Sequence, residues 1–307
     1  MVQKILSVLI GMMAFGFSAF AQTESQHLEF EAFDTIVIDD EFAVNLRPSS
    51  HYMVDYTVDA ALENNRLVEV YNRGKTLYIT LNRKGMSSEL KKAYRGRGAG
   101  KAVLRATVSM PSLSAIQVQG KALLEAGGVN FESDRFSVTV SDNAKVNGLS
   151  IKADRIEVDL SKNAEATMAL DADNAVIRTS GNSNLTASQL SNKLEISASG
   201  STKTNLSGDA VFTSVYAKGN PDVVLSGKGD ILKVDAGGTS ELDAVNYAVR
   251  EATMDVTGSS KSYVSPSEKL SLTMKGGYVV FAGEPLINIL SIKSASVTRL
   301  ADESPRR

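Results

Sequence analysis

Asp235 and Asp255 are the residues whose type and spacing come nearest to bond-cleaving chemistry. If both occupy one outward position on neighbouring parallel strands, their Cα atoms lie about 4.8 Å apart, within range of a paired-carboxylate or calcium site. β-Helical polysaccharide lyases and glycoside hydrolases place carboxylates on neighbouring coils in this way. Tyr216 and Thr273 would flank the pair. The same outward row reads Thr139, Asp159, Arg178, Ser197, Tyr216, Asp235, Asp255 and Thr273, a mixture typical of a solvated face. Asp235 and Asp255 are therefore kept as the alternative, enzymatic reading. No catalytic residue, metal ligand or cofactor is assigned.

A second candidate is basic. Residues 82–105 carry Arg83, Lys84, Lys91, Lys92, Arg95, Arg97, Lys101 and Arg105 against Glu89 alone, with Tyr94 among them, whereas residues 22–81 hold eleven acidic and four basic side chains. Gly-rich composition predicts a mobile projecting loop. Its charge would attract the phosphate, sulfate or uronate groups of an anionic envelope glycan. The plainer reading is a solvated loop that keeps the end of the molecule from pairing with another. Within it, RGRGAGKA lacks the first glycine of a phosphate loop and has Ala102 where the magnesium-binding hydroxyl belongs. An exported chain does not normally meet RNA, so no nucleic-acid partner is expected. The two histidines, His27 and His51, have no partner at a spacing that metal or triad sites use. His27, near the predicted cleavage site, is expected to be mobile.

The elements that must position these residues come from a repeat. From Leu113 onward, alternating apolar residues lead to a turn and then to a second alternating run. The turns read VQGKALLEA, VSDNAKVNG, LSKNAEATM, TSGNSNLTA, ASGSTKTNL, AKGNPDVVL, AGGTSELDA, VTGSSKSYV and MKGGYVVFA. Their third residues are Gly120, Asp142, Lys162, Gly181, Gly200, Gly219, Gly238, Gly258 and Gly276, at spacings of 18 to 22 and mostly 19. Strand alternation predicts four inward rows. They begin at Val138, Val140, Leu124 and Ala126, and the last contains Gly148. A coil of about 19 residues has no room for a helical crossover, so every backbone group is best paired by stacking coil on coil. The fold expected is an all-β, right-handed parallel β-helix. Asn143, Asn163, Asn182 and Asn220 follow the turn residues and are expected to stack. They are also expected to tolerate the left-handed backbone of a tight corner. Strand-like runs at Thr35–Ile38, Phe42–Leu46, Tyr52–Tyr56, Leu67–Val70 and Leu77–Leu81 predict wider N-terminal coils that cap the rod.

Lys4, the apolar run Ile5–Phe20 and the site Ala19-Phe20-Ala21 predict a signal peptide over residues 1–21. The expected organisation is then capping coils over 22–110 with the basic loop at 82–105, regular coils over 111–300 and a tail over 301–307, all one β-helix. No transmembrane segment is expected after cleavage. Without cysteine there is neither a lipoprotein attachment thiol nor a disulfide framework. The expected location is periplasmic, outer-membrane-associated or extracellular.

FDTIVIDDEFAVNL, LYITL, VSMPSLSAIQVQGKA and the repeated SG(N/S) turns resemble the bacterial "putative auto-transporter adhesin, head GIN domain" family across nearly all of the mature chain. The resemblance implies an exported right-handed β-helix with an adhesive role, common in Bacteroidetes-type bacteria. No C-terminal barrel of alternating segments is recognised, so self-translocation is not expected. The reading adopted is an exported cell-envelope or surface binding module, of the adhesion type and non-catalytic, that recognises glycans. A polysaccharide lyase or glycoside hydrolase and a structural envelope scaffold are the alternatives.

Overall fold

Left-handed backbone recurs once per coil, and it falls on the residues that the spacing singles out. In a computed structural model, which describes residues 22–94 and 103–300, the nine turn residues from Gly120 to Gly276 all have positive φ, between 61° and 97°. Asp142 and Lys162 adopt it without being glycine. Asp40, with φ of 71°, is a tenth copy inside the cap. The left-handed residue is the one before each asparagine, so the asparagines are not the strained position. Their amides instead bond from coil to coil: Asn163 Nδ2 donates to Asn143 Oδ1 at 3.1 Å and Asn182 Nδ2 to Asn163 Oδ1 at 3.3 Å.

The chain runs β1 (Thr23–Glu29), β2 (Thr35–Ile38), β3 (Ala43–Pro48), β4 (Met53–Asp59), α1 (Ala60–Asn64), β5 (Val68–Arg73), β6 (Thr76–Leu81), a 3₁₀ turn (Arg83–Gly85), α2 (Ser88–Ala93), β7 (Leu104–Met110), β8 (Ala115–Val118) and β9 (Leu123–Glu125). Long strands that bend around the corners of the coils follow: β10 (Asn130–Val140), β11 (Lys145–Leu160), β12 (Glu165–Thr179), β13 (Asn184–Gly200), β14 (Lys203–Gly219), β15 (Asp222–Gly238) and β16 (Glu241–Phe281). The last coil holds β17 (Leu286–Lys293) and β18 (Ser296–Arg299). From β10 to β16 each strand pairs in parallel with the next, which makes a parallel β-solenoid with coils about 19 residues apart.

Inward rows stack as the alternation requires. Val138, Val158, Ile177, Ile196, Val215, Val234 and Met254 are in register and almost wholly buried. Gly148 departs from its expected row: it is exposed at φ 67°, and the pairing slips so that Leu149, fully buried, lies against Met168. The extra residue is a bulge in a coil one residue longer than the next. A further inward row, Ala144, Ala164, Ser183, Thr202 and Ser240, follows the turns; its small side chains fit the narrow corner.

The N-terminal end is closed differently. β2 and β3 add parallel coils through β6, β7, β8 and β9, while β1–β4, β4–β7 and β5–β6 extend the stack by antiparallel pairs. At the opposite end, β17 and β18 pair with β16 alone among the described residues. Residues 1–21, read as a signal, and 301–307, read as a tail, lie outside the described residues, as do Arg95, Arg97 and Lys101. Among the described residues no helix is long and apolar enough to cross a membrane.

Candidate functional site

A groove of about 880 Å³ runs along one corner of the rod, parallel to its axis. Its floor is a row of small residues in register: Ser133, Ala153, Ala172, Ser191, Ala210 and Gly229. The residues just before and just after each floor position point outward and form the two walls. Six coils contribute, so at about 4.8 Å per step the groove is roughly 24 Å long. Gly229 has a structural reason to be small. Beneath it the buried Tyr247 hydroxyl shares a 2.8 Å hydrogen bond with Thr213 and donates to the Ala210 carbonyl at 3.3 Å. A Cβ on Gly229 would stand 2.7 Å from that hydroxyl.

The walls carry Glu132, Asp134, Asp154, Asp171, Asp173, Asp209 and Asp230 against Lys152 and Lys228. Asp173 accepts a 2.8 Å hydrogen bond from Asn192, Asp209 accepts from the Lys228 backbone N–H at 2.8 Å, and Asp230 is held by Arg250 at 2.7 Å. That guanidinium keeps the Asp230 carboxyl below the usual carboxylate range. Glu132, Asp134, Asp154 and Asp171 have no hydrogen-bond or ion-pair partner among the described residues. Elsewhere on the rod the pattern is different, because Glu165 meets Lys145 at 2.6 Å and Glu157 meets Arg155 at 2.7 Å. On one wall Asp134, Asp154 and Asp173 stack as like charges, which repel one another, whereas on the other Lys152 stands in register between Glu132 and Asp171. Amid this charge, Leu190 and Val211 stand on opposite walls in adjacent coils, each 56% exposed. No aromatic ring lines the groove. The arrangement can hold an elongated ligand with positive charge and some apolar surface.

Sequence reasoning misses this groove, although its spacing is in the chain: Asp134, Asp154, Asp173, Asn192, Val211 and Asp230 recur at the coil period. The repeat was legible only in the two runs beside each turn, and the third side reads as polar connection.

The basic segment is built otherwise than expected. Residues 83–94 form the 3₁₀ turn and α2, not a projecting loop, because Asn82 and Ser87 cap them and Met86, Leu90 and Tyr94 recur at helical spacing against the core. The Arg83 guanidinium grips the Asp40 carboxylate and lies 3.3 Å from Glu41. Lys121 donates to Glu41 at 2.9 Å, and this bond, reinforced by Arg83, holds the Glu41 carboxyl below its ordinary range. Burial, with Asp59 alongside, pushes the Tyr94 phenol up to about 12. Lys84, Lys91 and Lys92 have no carboxylate partner among the described residues, and Arg105 is exposed on β7.

Asp235 and Asp255 are in register on β15 and β16, as the spacing predicts. They stand outside the groove's lining, with Lys218 3.6 Å from Asp235 and 4.4 Å from the centre of the Tyr216 ring. His27 is fixed in β1 rather than loose, with Nδ1 2.6 Å from Asp55. The nearby Ser25 hydroxyl bonds Thr57 at 2.9 Å. Among the described residues no group of three or more His, Asp or Glu side chains could hold a metal ion.

A model of the family described as "putative auto-transporter adhesin, head GIN domain" matches residues 32–193 and 190–285. No curated protein matches the chain. Among solved structures, a "putative adhesin" from Parabacteroides merdae is 15% identical, with 91% of this chain and 97% of that one covered and a TM-score of 0.47. A "putative adhesin" from Parabacteroides distasonis is 16% identical, with coverage of 91% and 98% and a TM-score of 0.46. A "putative lipid binding protein" from the same species is 14% identical, with coverage of 91% and 97% and a TM-score of 0.45.

Proposed function

Because the chain belongs to the "putative auto-transporter adhesin, head GIN domain" family, we propose that it is an exported, non-catalytic binding module that engages its partner along the corner groove. The observation that carries this reading is the stacked row Asp134, Asp154 and Asp173, with Glu132, Asp134, Asp154 and Asp171 unpartnered among the described residues, in a groove that also exposes Leu190 and Val211. A surface that leaves like charges stacked and apolar side chains uncovered suits a ligand that relieves both. An extended peptide segment bearing Lys or Arg beside an aliphatic residue has that chemistry. A chain exported by the Lys4–Ala21 leader would meet such segments on envelope or surface proteins. Asp235 and Asp255 lie outside the groove, so polysaccharide cleavage is not the reading that the geometry favours.

The test is a labelled peptide of alternating Lys and Leu, titrated against the purified protein at low and high salt. Binding should weaken as salt rises. In the triple variant Asp154→Asn, Asp171→Asn, Asp173→Asn it should fall at least tenfold while thermal stability holds. Equal binding by the variant would remove the groove from the proposal.

A second reading rests on exposed Lys84 and Lys92 and half-exposed Lys91, which have no carboxylate partner among the described residues and could hold an anionic glycan. Retention on an acidic polysaccharide at low salt, lost in the Lys84→Ser, Lys91→Ser, Lys92→Ser variant, would support it. The peptide and glycan assays use opposite charges, so one result does not stand in for the other.

A further inference from the structure

Among the described residues, five of the nine large hydrophobic side chains that stand exposed lie on β17: Leu286, Ile287, Ile289, Leu290 and Ile292. Their exposure has a specific origin. Ile287, Ile289 and Ile292 are in register with Leu270, Leu272 and Met274, three fully buried residues of the inward rows. They continue the core rows, with no coil stacked above them. The backbone is open too, because β17 and β18 pair only with β16 and leave their outer edge without a neighbour among the described residues.

We propose that this end of the rod is the interface of an isologous dimer, in which β17 of one copy pairs antiparallel with β17 of a second and closes both cores end to end. Three observations select a second copy. The edge and its apolar row are self-complementary, as a two-fold contact requires. Glu284, which pairs with Arg299 of its own chain at 2.9 Å yet stays 80% exposed, precedes β17, and Lys293 ends it in register with Lys275, so antiparallel apposition brings each near an opposite charge on the other copy. The N-terminal end offers a different face, since it finishes in the antiparallel pairs β1–β4 and β5–β6 and none of the five exposed aliphatic side chains of the C-terminal end has a counterpart there among the described residues. Stacking head to tail into a filament is thereby disfavoured, and the contact stops at two.

Light scattering on the purified protein at about 50 μM should give twice the chain mass. Small-angle scattering should give a rod of about twice the ~45 Å expected for nine to ten coils. The double variant Ile289→Lys, Leu290→Lys should be monomeric and still melt cooperatively. Since the chain has no cysteine, Asn288→Cys gives an independent reading that leaves the apolar row intact. Mild oxidation should convert it to a covalent dimer, whereas Ser199→Cys on an exposed turn should stay monomeric. A monomeric wild-type protein, a lysine variant that remains dimeric, or the absence of a cross-link through Cys at 288 would each overturn the proposal. Capture of a monomer by phosphatidylcholine vesicles, lost in the lysine variant, would also overturn it and assign the apolar end to a lipid surface.

Discussion

A Cβ on Gly208 would lie 1.8 Å from the backbone carbonyl oxygen of Gln189, its partner on the preceding strand. With φ at 128°, Gly208 also occupies backbone that L side chains rarely adopt. Gly208→Ala should therefore cost roughly 3 kcal/mol or more, since the coil must shift to relieve the overlap. Gly127→Ala, at φ 60° with nothing within 4 Å, should cost only about 1 kcal/mol. Urea denaturation of both variants measures the difference, and equal costs would show that the coils are not packed this closely at Gly208.

Val215 is 1% exposed and its neighbour Tyr216 is 42% exposed. Val215→Asp should lose several kcal/mol by burying an unpaired charge, and Tyr216→Asp about 0.5 kcal/mol or less. Thermal midpoints that fall equally would contradict the assignment of faces.

Removing the Tyr247 hydroxyl leaves the buried Thr213 without this partner below the groove. Tyr247→Phe should cost about 1–2 kcal/mol in equilibrium unfolding and leave peptide binding unchanged, because the ring still supports the floor. A loss of binding with full stability would mean that the hydroxyl reaches the ligand.

Acid should destabilise the rod through its ion pairs. Glu41, Asp142, Glu157 and Asp230 are all held below their ordinary values, chiefly by hydrogen bonds from Lys121, Lys162, Arg155 and Arg250 respectively. A folded value below the unfolded one gives stability that is present above about pH 4.5 and is lost as pH falls through the folded value. Glu63 runs the other way: burial raises it, so its contribution favours acid and fades as pH rises. The four outnumber the one, and thermal midpoints should drop between about pH 5 and pH 3. A midpoint that rose over that range would show that Glu63, not the surface pairs, dominates.

The parallel stack was legible because one residue per coil must be left-handed, and Gly181, Gly200 and Gly219 mark that position without ambiguity. Even Asp142 and Lys162 could be placed, by spacing alone. The Gly148 bulge was not legible, since a glycine among alternating residues looks like a small inward one until its pairing is known. The groove was harder still. Asp134, Asp154 and Asp173 recur at the coil period, but acidic residues on an outer face are ordinary, and only the small floor beneath them makes the row a recess. Arg83 was misread for the converse reason: its partners, Asp40 and Glu41, lie more than forty residues earlier and are brought near only when β2 pairs with β6.

Because β12, β13 and β14 each touch chiefly the strand before and the strand after, the molecule can change length in quanta. Excising residues 182–200, or copying them, would remove or insert one whole coil and leave every other pairing as it was. The groove would shorten or lengthen with it by a single step of about 4.8 Å. Its length, and with it the reach along a partner proposed above, is thus set by arithmetic in the gene, through duplication of a 19-residue unit, with no surface to redesign.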